Sequence, residues 1–331
     1  MESCVNVAPG IYQVRLPLPF ALRIVNCYLL QDDTGWTIVD SGLNRSESQV
    51  VWQSACAMLQ IRPADITRIV LTHFHPDHYG LAGWLQEWTS GETPVYMSPR
   101  EAELASEVWG RADRGPEPMA ALFSSHGVPK ERLESMAVEL GRLRRMTLPH
   151  PCVTHLEPGT TLHMGGRAFQ AIYAPGHSDG QLVFYSPDDR LILCGDQVLI
   201  KITPHIGLWP ESEPDPLGRY LNSLHALADL DVQLGLPGHG PLIHDWQTRL
   251  AELEHHHALR LEQMGALVRG GVTGYTVGRQ VFDFDKLTPH EMRFAVAETV
   301  AHLELLVARE RLRRTYDGVW IYHQAVEDTR G

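Results

Sequence analysis

The sequence predicts a mixed α/β protein, with one large domain followed by a smaller one. Short apolar runs rich in β-branched residues, such as Arg68-Ile69-Val70-Leu71-Thr72, alternate with stretches of helical periodicity. At 331 residues and 44 % apolar content, the chain has material for a full core and a second, smaller domain.

The elements are expected in the following order. Strands fall at 11–16, 24–30 and 36–40, then a helix at 46–60 with Ser46 as its N-cap. A buried strand over 68–72 leads into a loop and a helix at 80–88. Further strand patterns occur at 94–97, 168–173, 181–185, 191–194 and 233–236. Between them, 100–146 reads as a helical insertion, taken as a cap over a substrate pocket or as ordinary outer helices. The Pro-rich stretch 199–216 carries Lys201, His205 and Trp209; its length suggests a functional loop. From residue 245 the chain becomes helical: 245–268, 276–282 and 289–311. The last helix carries an apolar stripe of Met292, Val296, Val300, Leu303 and Val307. Residues 312–316 and 319–323 flank Asp317-Gly318, a hairpin turn signal.

The chemistry concentrates in His73-Phe74-His75-Pro76-Asp77-His78, in the loop after a strand. Neutral imidazole and carboxylate oxygen are donors that zinc, iron and manganese accept. Downstream lie Gly176-His177-Ser178, Gly195-Asp196 after an apolar run, and Gly238-His239-Gly240. Each potential ligand sits beside glycine, where the backbone turns without steric cost. The triplet His255-His256-His257 is different. Consecutive helical residues point to different faces, so it is read as partly solvated helix rather than a metal site.

His-x-His-x-Asp-His after a strand, followed in order by those turns and preceded by Val39-Asp40-Ser41-Gly42, resembles the metallo-β-lactamase-fold hydrolases. The match runs from Val7 to His244. The resemblance implies an αββα sandwich over residues 1–244, with His73, His75 and His177 on one metal. Asp77, His78 and His239 would hold a second metal, with Asp196 bridging. Two divalent ions are therefore expected, zinc first, with iron or manganese also compatible. No cysteine occupies a ligand motif, which departs from the zinc β-lactamases that use one. Asp40 matches a position that supports the metal loop, or it is a plain turn residue. The helices and hairpin of 245–331 resemble the winged-helix-like C-terminal domain of the β-lactamase-like protein 2 group.

The implied activity is hydrolysis of a small-molecule ester, thioester or lactone by metal-activated hydroxide, with Asp77 and Asp196 as catalytic residues. The alternatives are a metal-dependent endoribonuclease or phosphodiesterase, and an iron sulfur dioxygenase. Glyoxalase II is similar in the core, but its basic glutathione-binding residues cannot be placed here. Charge bears on the choice. The net charge of −12 disfavours a polyanionic partner, and residues 251–331 hold 10 Lys+Arg against 12 Asp+Glu, despite the local Arg309, Arg311, Arg313, Arg314 cluster. The expected partner is a small-molecule substrate, with a homodimer allowed. No apolar run approaches ~18 residues, so no membrane span is expected. The five scattered cysteines and the absence of a secretory pattern in Met1–Asn6 point to the cytoplasm.

Overall fold

A computed structural model describes residues 3–111 and 115–325. The chain divides into two compact units. One comprises Met1–Ala112, Arg142–Pro204 and Leu227–Arg249; the other comprises Asp113–Gly141, His205–Ala226 and Leu250–Gly331. The second unit thus takes two segments from the middle of the chain in addition to its C-terminal part.

The first unit is built on two sheets. Seven strands form the first in sequence order: β1 (Cys4–Ala8), β2 (Ile11–Pro17), β3 (Ile24–Asp32), β4 (Gly35–Val39), β5 (Ile66–Val70), β6 (Val95–Met97) and β7 (Val153–His155). Pairing is antiparallel from β1 to β4 and parallel from β4 to β7. The second sheet has five strands: β8 (Thr161–Met164), β9 (Arg167–Tyr173), β10 (Leu182–Ser186), β11 (Leu191–Gly195) and β12 (Leu234–Pro237). Only β11 and β12 are parallel there. Tyr28, Leu30, Val39 and Val70 from the first sheet meet Phe169, Phe184, Leu193 and Leu236 from the second in one buried cluster. This is sheet-on-sheet packing, in which alternate side chains of each strand fill the shared interior. β10 and β11 are buried at every position, because their second face is covered too. On the first sheet, Trp52 of α1 (Ser46–Met58) is buried and donates its indole N–H to Ser41 O at 2.9 Å.

Several expectations are corrected. Ser46 does not cap α1: it is the first helical residue, and Arg45 stands at the N-cap with no side-chain bond. A short helix that was not expected, α2 (Pro76–Tyr79), precedes α3 (Ala82–Thr89), the helix expected at 80–88. The short helix begins inside the histidine motif because Pro76 suits the first helical position. β1, β7 and β8 were not anticipated; they are short, and β7 and β8 expose polar residues such as Thr154, His155 and Thr161.

The insertion contains α4 (Pro99–Ala105), a wide turn at Ser106–Gly110, α5 (Glu117–Ser125) and α6 (Lys130–Arg145). Then come α7 (Pro216–Ala228) and α8 (Trp246–Leu267). The second unit continues with α9 (Gly274–Val281) and α10 (Pro289–Ala308). Thr288 and Glu291 close a reciprocal capping box at the start of α10, satisfying two otherwise unpaired amides. The stripe residues Met292, Val296, Val300 and Leu303 are buried, with α9 and the hairpin β13 (Leu312–Asp317)–β14 (Val319–Gln324) beside them. The cluster read as a basic patch is partly neutralised: Arg311 pairs with Glu262 at 2.8 Å and Arg314 with Glu304 at 2.6 Å. His257 departs from the solvated reading; it is buried, with Nδ1 3.2 Å from His302 Nε2. Among the described residues, no helix is long and apolar enough to cross a membrane.

Candidate metal centre

The donors and their support stand at strand ends and in one turn of the first unit. Asp40 follows β4, His73 to His78 follow β5, Asp196 follows β11 and His239 follows β12. His177 comes from the turn between β9 and β10. The structure brings all seven sequence-predicted site residues together. The donor atoms of His73, His75 and His177 lie within 4.8 Å of one another, as do those of Asp77, His78 and His239. A third set, His73, His78 and Asp196, meets the same limit. Asp196 faces both sides: Oδ1 is 3.4 Å from His78 Nε2, while Oδ2 is 3.3 Å from His239 Nε2 and 3.7 Å from His177 Nε2. Asp77 Oδ2 lies 3.2 Å from His239 Nε2.

Outer hydrogen bonds orient the rings. His239 Nδ1 donates to Ile24 O at 2.7 Å, and His78 Nδ1 donates to Asp40 Oδ2 at 2.8 Å, since carbonyl and carboxylate oxygens can only accept. Thr72 donates its hydroxyl to Asp40, so Thr72 Oγ1 accepts from His73 Nδ1 at 2.9 Å. These three rings therefore hold a proton on the outer nitrogen and turn Nε2 inward, whereas His75 turns Nδ1 to within 2.9 Å of His177 Nε2. Asp40 is thus the support to the metal loop that the resemblance implied. It holds His78, the Thr72 hydroxyl and the Thr72 amide from a left-handed backbone of φ 59°.

The approach is close. A Cβ at Gly238 would collide with Asp196 Oδ1 and His78 Cε1, so only glycine lets this loop lie against the centre. Tyr28 Oη and Asn26 Nδ2 hold the same loop by donating to Pro237 O at 2.7 and 3.1 Å.

Burial, then the neighbouring His78, His75 and His177, hold His73 well below the ordinary imidazole range. Burial and His177 do the same for His75. Burial alone would raise the Asp77 carboxyl, but the His239 hydrogen bond and the charges of His78 and His239 outweigh it and depress it. Against burial, the charges of Asp196 and Asp40 raise His78, and Asp196 and Asp77 raise His239 to about 10, so these two rings balance the carboxylates with positive charge. A divalent cation would take over that balance and leave neutral imidazoles beside ionised carboxylates, the donor set it requires. The inward atoms His73 Nε2, His78 Nε2, His239 Nε2 and Asp196 Oδ1 are buried without a hydrogen-bond partner. Buried polar atoms are ordinarily satisfied, so convergent orphans fit a cation among them.

Glu101 was missed in the sequence. Fully buried on α4, it accepts from Phe74 N at 2.7 Å, inside the histidine loop. Its other oxygen accepts from Ser178 Oγ and Gly180 N, both at 2.6 Å, beside His177. One carboxylate thus ties the two histidine-bearing loops together. Burial raises it to about 7 against these hydrogen bonds. Ser98-Pro99-Arg100-Glu101 reads as an ordinary helix start, with Ser98 as cap, and carries no signal of this role. Lys201, His205 and Trp209 are not among the converging donors.

The comparisons with known proteins agree with this geometry. Residues 21–239 match the metallo-beta-lactamase superfamily model and residues 261–325 match a metallo-beta-lactamase-like C-terminal domain. The chain is 26 % identical over 322 residues to the "Probable metallo-hydrolase YqjP" of Bacillus subtilis (strain 168), spanning 95 % of this chain and 97 % of that one. It is 22 % identical over 236 residues to an atrochrysone carboxyl ACP thioesterase of Aspergillus fumigatus, covering 71 % of this chain and 57 % of that one. A solved metallo-beta-lactamase family protein from Thermus thermophilus superposes with a TM-score of 0.86 at 32 % identity, over 96 % of this chain and all of that one. The match over most of the chain, the two-sheet fold and the converging histidines and aspartates lead to one conclusion: the chain belongs to the metallo-β-lactamase superfamily, as a metal-dependent hydrolase with the family's C-terminal domain.

Proposed function

We propose that the protein is a binuclear hydrolase of small-molecule thioesters, esters or lactones, with zinc as its metal. What carries this reading is Asp196, whose two oxygens face histidines of both donor sets. His73, His75 and His177 would hold one ion, Asp77, His78 and His239 the other, and Asp196 both. When bound, such ions polarise a substrate carbonyl and lower the pKa of a water to about 7. The chain's own residues do the rest. The outer bonds to Asp40, Thr72 and Ile24 fix the rings, so that the donors need little rearrangement. The water oxygen joins the acyl carbon and the C–S or C–O bond breaks. Asp77, half-buried in the cluster, would take the water's proton and pass it to the leaving thiolate or alkoxide.

A thioester is favoured among the candidates because one relative is named a thioesterase. A small molecule is favoured over nucleic acid because Arg311 and Arg314 already face glutamates, and a dedicated nucleic-acid domain is usually basic. The C-terminal helices and hairpin are then a winged-helix-like packing domain. A reducing cytoplasm suits the buried free thiols of Cys4, Cys27, Cys56 and Cys194. The test is turnover of zinc-loaded protein on matched thioester, ester, lactone, β-lactam and phosphodiester substrates. Acyl substrates should dominate; preferential cleavage of a phosphodiester would replace this reading with the nuclease one.

A further inference from the structure

The second unit contains a buried cation walled by aromatic rings. Arg293, in the second turn of α10, is 7 % exposed. Its Nε is buried without a hydrogen-bond partner. Its nearest company is aromatic. The guanidinium carbon lies 4.8 Å from the ring centre of Phe294 and 5.6 Å from that of Trp209. These rings are held by others: Trp209 lies 6.0 Å from Phe123 and 5.7 Å from His205, whose Nε2 donates to Phe294 O at 2.9 Å.

Ring faces attract the charge of a guanidinium but leave its N–H donors unmet. Arginine carries five such donors in a planar fork, and leaving the buried Nε–H unpaired is costly. Burial pulls the group down to about 10, against the opposing charge of Glu139. An arginine serving only to fill space would be replaced without loss by an apolar side chain. A forked donor set walled by aromatic rings instead matches a planar or tetrahedral oxyanion on an apolar body.

We propose that Arg293, with Trp209 and Phe294 as its walls, is a binding site for an oxyanion-bearing small molecule, a carboxylate or phosphate monoester with an aromatic or apolar body. None of these residues is a metal donor, and the proposal does not depend on the reading of the metal-donor cluster.

The experiment is thermal unfolding of the metal-loaded protein, wild type and Arg293→Met. The probes are benzoate, phenyl phosphate and inorganic phosphate at about 10 mM, each against sodium chloride of equal ionic strength, enough to saturate a site of ~0.1 mM affinity. A metal centre also takes oxyanions, so the reading is the difference between the two proteins. In chloride the methionine variant should melt at or above the wild type, because a buried charge with an unmet donor is gone. Benzoate or phenyl phosphate should raise the wild-type Tm by several degrees more than that of the variant, and the stronger of the two identifies the anion. Inorganic phosphate should act more weakly, lacking the apolar body. If Arg293→Met does not fold, Arg293→Lys carries the same comparison, since it keeps the charge but loses the fork. Equal shifts in wild type and variant, or none in the wild type, overturn the proposal.

Discussion

Asp196 is the side chain on which the site turns. Its two oxygens face histidines of both donor sets, so Asp196→Ala should lower turnover by several orders of magnitude and reduce metal content. The far-ultraviolet circular dichroism should stay that of the wild type. Near-wild-type turnover would show that Asp196 is not shared between two ions. Glu101 makes a subtler prediction. Glu101→Gln keeps the shape but loses a charged acceptor for Phe74 N, Ser178 Oγ and Gly180 N. Metal affinity should fall by about 10–100-fold, as is typical when a group that orients ligands is changed. A competition titration with a chromophoric chelator reads this directly; unchanged affinity would make Glu101 a packing residue. The contrast between the two residues shows what a sequence displays. Asp196 was legible because it ends an apolar strand beside glycine and falls in order with three histidine motifs. Glu101 was not, because a buried glutamate and a solvated one look alike at a helix start. Its partners come from distant parts of the chain, at Phe74 and at residues 178–180.

At the level of elements, the long buried strands and amphipathic helices were readable because their periodicity reflects which face is buried. β7 and β8 were not, since three or four half-exposed residues carry no pattern and their pairing is decided by neighbours. α8 was expected, but not the fate of His257. Helical geometry placed it on a different face from His255; packing with α10 then buried it against His302. His302 donates from Nδ1 to Glu298 O at 2.8 Å and accepts from His257, so the pair is built for neutral rings. Burial, opposed by the Glu298 carbonyl and aided by Arg260 and His256, brings His302 down to about 4. Its ordinary value of 6.5 applies once unfolded. Between those values the unfolded chain binds the extra proton, so this contribution to stability is intact at pH 7 and shrinks as the pH falls towards 4. The full effect is about 3 kcal/mol. In His302→Gln, with His256, Arg260 and Glu298 unchanged, stability should fall less steeply between pH 7 and pH 4.5 than in the wild type. Chemical denaturation across that range measures it; parallel curves would rule out His302 as the titrating group.

For the molecule as a whole, the order of the motifs and the αββα layering were legible together. A metal site assembled from strand ends requires that the strands lie side by side, and the ordered motifs imply that arrangement. The division of the chain was less legible. A linear reading places one boundary near residue 245, whereas the second compact unit also draws on 113–141 and 205–226. Sequence proximity hides such interleaving, because contacts rather than chain order define a unit. His205 and Trp209 follow the metal loop of Asp196 in sequence, yet they pack with Phe294 in the second unit. The central claim, that seven side chains form one binuclear centre, is tested most directly by the metal content of protein purified without chelator. The account predicts about two equivalents of divalent metal per chain in the wild type, the number its two donor sets can hold. A reproducible value of one, unchanged when Asp77, His78 and His239 are replaced by alanine, would contradict it.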